Sequence, residues 1–393
     1  MGGSRTHAPD RPAAGDGRFI AGISLTLGLR QVALLIVLPF VGVYATGLPG
    51  GTPMLAGVAL GVYGLMQGVL QVPFGALSDR VGRKPVVLAG TALLMAGLVL
   101  AAWAPSIWWL IAGRALQGTG AINGAALAWI ADRMAGTALA RGMAAVSAAT
   151  GLAAVGSLVA GPALFAVVSV PRVFLVCAVL TLVCGVYVAV AMPAAPRSPA
   201  GAVTASAAFA QFGIGRAATA RRLVAAGFLA NYVLMAVAFA VPLLLSPTLG
   251  RHLWKALVPA ALAGVLAMRA VTTAAGRGHF NRVTPAAFLA FVPAALALLT
   301  GSTLLVGAGT ALCMAGYLSL SALLPVAVSR VAGAAVMGQA HGAYNAGAFL
   351  GSFTGALATG ALWEVRPELA VVAMLPVSLA GYTLLARRHR GAW

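Results

Sequence analysis

The chain has 393 residues, of which 61% belong to the set AVILMFWYC and 8% are charged, with a formal net charge of +19 and a mean hydropathy of +0.98. Soluble globular domains carry about 25% charged residues, so this composition excludes one, and its 49 Gly suit close helix–helix approach in lipid. The basic residues are spread along loops and are not gathered on a face, which argues against nucleic acid and for loops held on the cytoplasmic side of a membrane.

In chain order, residues 1–17 are polar and lack the apolar core and cleavage site of a signal peptide. They are expected to remain as a cytoplasmic tail. A crossing helix needs about 20 apolar residues. Twelve such spans are expected, at 18–45, 53–77, 85–104, 106–130, 142–167, 172–192, 221–245, 253–271, 284–300, 303–328, 337–362 and 368–386. The stretch 193–220, rich in Pro, Ala, Ser and Thr, reads as a cytoplasmic linker between two six-helix bundles, 18–192 and 221–386. Residues 387–393 form a basic cytoplasmic tail.

The positive residues test this arrangement. With the N-terminus inside, nineteen of the 25 Lys and Arg fall on the cytoplasmic side and four, Arg172, Arg251, Lys255 and Arg366, fall outside. The remaining two, Arg30 and Arg114, lie within spans. That bias supports a multi-pass protein of the cytoplasmic (inner) membrane with both termini cytoplasmic. Cys177 and Cys184 sit about 10 Å apart along one helix, too far to bridge. With the remote Cys313 they are expected to be small packing residues.

Between the second and third spans runs Gly75-Ala-Leu-Ser-Asp79-Arg80-Val-Gly82-Arg83-Lys84-Pro85. Two glycines permit a sharp turn and close backbone approach, and a short acid sits among basic residues. The run resembles the signature G-x-L-x-D-R-x-G-R-K/R of major facilitator superfamily transporters. Arg114 followed by Gln117-Gly118-Thr119-Gly120 in span four is similar to the drug:proton antiporter (multidrug efflux) branch. So are Gly156 and Gly161-Pro162 in span five, although the pair of glycines usual after that Pro is replaced by Ala163-Leu164. The resemblance covers nearly the whole chain. It implies an all-α membrane fold of twelve helices in two halves, working by alternating access. It also implies that Asp79, Arg83 and Asp132 form a charge cluster, with Asp79 facing the N-terminus of helix eleven. Such a cluster is expected to latch the halves in the outward-facing state and to break when the cytoplasmic side opens. The equivalent loop in the second half, between Arg269 and Arg282, keeps Arg277 and Gly278 but has no acid.

An arginine at a helix centre costs on the order of 3 kcal/mol on insertion scales, which marks Arg30 and Arg114 as candidates for a cavity wall that engages solute. Tyr63, Gln67 and Gln71 recur every four residues and form one stripe. Gln117 lies one turn from Arg114, and Asn123, Asn231 and Tyr232 add hydrogen-bonding groups. His341 shares a face with Tyr344 and Asn345 and is the one histidine within a span. None of the six acids falls inside a span, Glu368 standing at the first position of the last one. The set describes a cationic, hydrogen-bonding cavity that favours neutral or anionic solutes.

The sequence contains no G-x-x-x-x-G-K-[ST] loop, no metal-spaced His/Cys cluster and no embedded catalytic triad, so neither ATP coupling nor an enzyme is expected. The leading reading is a secondary transporter that exports a small organic solute, with protons as the candidate coupling ion, no cofactor, and a monomeric state in the bilayer. A second reading is an anion or metabolite carrier, uniporter or symporter, using Arg30 and Arg114. A third is a non-transporting membrane sensor or partner on the same fold.

Overall fold

A computed structural model describes residues 16–194, 214–332 and 337–386. The expected tails, over 1–15 and 387–393, and most of the expected linker, over 195–213, lie outside the described residues. Every regular element among the described residues is helical.

The first crossing is α1 (Asp16–Leu35) continued by α2 (Leu38–Thr46). They are bent at Ile36 and Val37, just before Pro39, which cannot donate a backbone hydrogen bond. Then come α3 (Pro53–Val81), α4 (Arg83–Ala102), the pair α5 (Ile107–Thr119) and α6 (Asn123–Arg133), α7 (Gly136–Val167) and α8 (Val170–Ala191). The second series is α9 (Ile214–Leu249), α10 (Trp254–Ala274), α11 (Phe280–Leu289) with α12 (Phe291–Leu298), α13 (Thr303–Ala332), α14 (Met337–Val365), and α15 (Pro367–Val372) with α16 (Met374–Ala386).

Nine described helical segments are long and apolar enough to cross a membrane. One of them, Trp254–Leu298, is 45 residues long, enough for two crossings, and it turns at Gly278. Adding α5–α6 and α14 restores the twelve expected. Two expected boundaries need correction. The seventh helix starts at Ile214, inside the stretch read as linker. The fourth span is not continuous but broken between Thr119 and Asn123.

Gly82 and Gly278 hold φ of +109° and +91° at equivalent turns of the two series, a conformation only glycine adopts readily. The second turn therefore keeps the first one's geometry without its acid.

The two series meet chiefly where α3 packs on α14, with α9 on the other side of α14, and where α7 meets α10. Along α3 the contact is made by glycines. A Cβ placed on Gly61 would lie 2.9 Å from the Phe353 Cα, one on Gly64 3.1 Å from the Phe349 carbonyl, and one on Gly68 3.2 Å from the Phe349 Cβ. Glu364 closes that end by accepting a 3.2 Å hydrogen bond from the Met54 N–H at the start of α3. Toward the other end, among the described residues, a Cβ on Gly75 of α3 or on Gly342 of α14 meets nothing within 4 Å. The seam is thus tight at the Glu364 end and loose at the Gly82 end.

Candidate functional site

The loop cluster assembles as a clamp on the ends of three helices. Arg83, at the first turn of α4, donates from Nε to Asp132 Oδ2 at 2.8 Å, from Nη1 to Asp79 Oδ1, and from Nη1 to Ser78 Oγ at 2.7 Å. Lys84 Nζ donates to the carbonyls of Ala189 and Met192 at the end of α8, where a cation complements the helix dipole. Arg80 is exposed. All these groups belong to the first series. The N-terminal approach to α14, expected to face Asp79, falls over 333–336, outside the described residues. Asp79, Arg83 and Asp132 are joined in this arrangement of the helices.

The second group lies halfway along the helices. Arg30 of α1 is 3% exposed and Arg114 of α5 fully buried. Arg30 Nη2 donates to Gln67 Oε1 at 3.0 Å. Arg114 Nε donates to the Ala59 carbonyl at 3.3 Å and its Nη1 to Gln117 Oε1 at 2.6 Å. Its guanidinium carbon stands 4.8 Å from the centroid of the Tyr63 ring, within cation–π range. Gln117 Nε2 in turn donates to the Gly97 carbonyl at 3.1 Å. The two guanidinium groups are therefore ranked along α3, one at Tyr63 and the other a turn away at Gln67. Among the described residues, Arg30 Nη1, Arg114 Nη2 and Gln71 Oε1 are buried and meet no hydrogen-bond partner.

The break in the fourth crossing sits beside them. Gly120 has φ −71° and ψ 54°, and the Ala121 N–H donates back to the Thr119 carbonyl at 2.7 Å, an inverse γ-turn. Gly120 packs directly on the backbone of Gly90 in α4, leaving no room for a side chain. The N-terminus of α6 opens here, with Asn123 as its first residue and no side chain capping it.

The remaining expected residues form separate contacts. Asn231 of α9 donates to the Gly227 carbonyl at 2.9 Å and accepts a long 3.4 Å bond from the Tyr317 hydroxyl. Tyr232 backs onto Gly355, and the ring of Tyr344 lies on Gly227. His341 Nε2 pairs with Ser329 Oγ at 2.8 Å instead of joining the arginines, and Asn345 is half-buried one turn beyond it. In α7, Gly161 is pressed on the Ile36 carbonyl at the bend of the first crossing, while Gly156 faces open space. Pro162 helps line a small apolar cavity of about 50 Å³ between the two series, with Leu38, Leu234, Leu257 and Met314. Tyr317 and Ser329 were not anticipated. The signal for Tyr317, a lone aromatic hydroxyl in an apolar run, was present, but a serine carries none.

The comparisons agree with this architecture. The Major Facilitator Superfamily matches residues 19–356. The inner membrane transport protein YajR of Escherichia coli (strain K12) is 47% identical over 118 residues, 30% of this chain and 26% of that protein. Multidrug resistance protein D of the same organism is 36% identical over 104 residues, covering 26% of each chain. The chain thus spans about a quarter of the length of the curated relatives it matches. A bacterial homolog of the human lysosomal transporter Spinster, solved in an inward-facing and occupied conformation, superposes with a TM-score of 0.75 at 11% identity, over 97% of this chain and 99% of that one. With two glycine-turned helical series, a match over most of its length and this shared fold, the chain belongs to the Major Facilitator Superfamily, a family of multi-pass membrane transporters.

Proposed function

We propose that the protein is a secondary transporter that moves a small organic solute across the cytoplasmic membrane by alternating access. One observation carries this reading: two buried guanidinium groups lie against the middle of α3, the helix whose contact with α14 joins the two series and is packed at one end and open at the other. A midplane site between two rocking halves is how carriers of this architecture bind cargo. The charge bias of the loops supports a cytoplasmic position for the loose, Gly82 end. In that orientation the Glu364 end is the sealed extracellular side, and the state is open inward.

Export is the direction supported by similarity to Multidrug resistance protein D. The Asp79–Arg83–Asp132 clamp keeps the cytoplasmic ends of α3, α4 and α6 moving as one body, and through Asp79 it governs closure against α14. The test is flux in sealed liposomes holding the purified protein, with an internal pH dye, against cationic, neutral and anionic solutes. Solute movement that carries protons supports coupled exchange. Movement without protons supports a facilitator, and the absence of any solute movement refutes the carrier reading.

A further inference from the structure

We propose that Arg30, Arg114 and the open N-terminus of α6 together form a midplane site for the negatively charged group of a small organic anion. The assignment rests on the carrier reading, since it names the class of solute carried. Three observations converge on it.

The first is the pair of orphan donors. Arg30 Nη1 and Arg114 Nη2 are buried and unpartnered, on side chains that are 3% and 0% exposed. Buried polar atoms of this kind call for a partner, and a guanidinium offers carboxylate-type geometry.

The second is the helix break. The first-turn N–H groups of α6 have no intrahelical acceptor and no side-chain cap, and the positive end of the helix dipole is directed there. Arg30 Nη1 is 3.4 Å from the Cβ position of Gly120, in the break itself. A buried, unpartnered donor therefore lies against the break that immediately precedes an uncapped helix start.

The third is the location of countercharge. The described acids lie at helix ends: Asp79 and Asp132 bind Arg83, Asp16 pairs with Arg133 at 3.7 Å, and Glu364 takes the Met54 N–H. Glu368 stands at the start of α15. Gln67 and Gln117 supply dipoles to the arginines but no charge. A cationic solute would meet charge of its own sign here, and a neutral one would leave two buried cations uncompensated, which is costly in a low-dielectric interior.

The test uses the full chain purified in detergent, titrated calorimetrically at constant ionic strength with benzoate, benzamide and benzylammonium, three ligands of similar shape and different charge. Saturable benzoate binding is expected, at least tenfold tighter than benzamide, with none for benzylammonium. Arg30→Gln and Arg114→Gln each weaken benzoate at least tenfold, and the Lys variants fall between. Equal affinity for benzoate and benzamide, no saturable benzoate binding, or benzoate binding unchanged in both Gln variants overturns the site. Should the Gln variants fail to fold, the wild-type comparison of benzoate with benzamide decides alone. Displacement of benzoate by an equal concentration of chloride assigns the site to an inorganic anion and overturns the solute class. The same three ligands are then followed in proteoliposomes. Flux of benzamide or benzylammonium without benzoate binding refutes the anion site and keeps the carrier. Benzoate binding without flux of any of them keeps the site and refutes the carrier.

Discussion

The two halves of the bundle bury different chemistry. In α1–α8 the buried polar side chains include Arg30, Gln67, Arg83, Arg114 and Gln117; in α9–α16 those described are Ser and Thr alone. Thr284, Thr310, Ser319, Ser352 and Ser378 each donate to the carbonyl one turn back on their own helix. Such hydroxyls are satisfied locally and bind nothing across the bundle. The arginines and glutamines of the first half instead reach between helices, Arg30 across to α3 and Gln117 across to α4. One half is thus built to hold a charge at fixed depth. The other presents a wall with no buried Arg, Lys, Asp or Glu among its described residues, tied across its helices by the Asn231–Tyr317 and His341–Ser329 pairs.

The largest effect should come from removing the charge itself. Losing a buried hydrogen bond to a charged group costs about 1.5–3 kcal/mol, so Arg114→Leu should slow solute flux in proteoliposomes by roughly tenfold to a hundredfold. Replacing a buried, incompletely paired ion by an apolar side chain is often neutral or stabilising. The thermal midpoint of Arg114→Leu should therefore hold or rise. If flux and midpoint fall together, Arg114 is a structural residue and the contrast between the halves loses its functional meaning.

The seam is the next place to press. Gly61→Val puts a branched side chain where a single Cβ already stands 2.9 Å from the Phe353 Cα. Overpacking costs about 1–3 kcal/mol, read as a lower thermal midpoint together with several-fold slower flux. Gly151→Ala in α7 is the control: its Cβ meets nothing within 4 Å, and helix propensity favours Ala by about 1 kcal/mol. An equal loss of stability in both variants would remove the special role of the α3–α14 contact.

How much of this the sequence disclosed depends on whether the cause was local. Apolar run length gave the crossings, and the loop residues from Gly75 to Lys84 announced the clamp. Arg30 and Arg114 stood out because nothing near them in sequence was charged. The break at Gly120 was hidden, since glycine is common in membrane helices and what opens this one is a backbone contact with Gly90, thirty residues earlier. The partners of the arginines were only half visible: Gln117 is one turn from Arg114, but Gln67 reaches Arg30 from another helix. His341 was grouped with its own helical face, and its partner Ser329 sits on a neighbouring helix.

Smaller effects sharpen the same comparison. Asp79→Asn withdraws one carboxylate from Arg83 and leaves the 2.8 Å bond to Asp132 and the 2.7 Å bond to Ser78 in place. Because the pair is partly exposed, about 1 kcal/mol is at stake, or a fewfold to tenfold drop in flux. Membrane-inserted protein, measured by immunoblot, should be unchanged. Wild-type flux would strip the clamp of any part in closure. The second half should be nearly indifferent to loss of its own buried hydroxyls. Ser319 is 1% exposed, and its Oγ donates to the Ala315 carbonyl at 2.7 Å within α13. Ser319→Ala removes donor and need together, and Ala is the better helix former by about 0.5 kcal/mol. Flux should stay within about twofold of wild type, since the energy at stake is well under the 1.4 kcal/mol that a tenfold change requires. A tenfold loss would show that this hydroxyl leaves its helix during turnover to bind solute, and the second half could then no longer be described as a wall of locally satisfied hydroxyls.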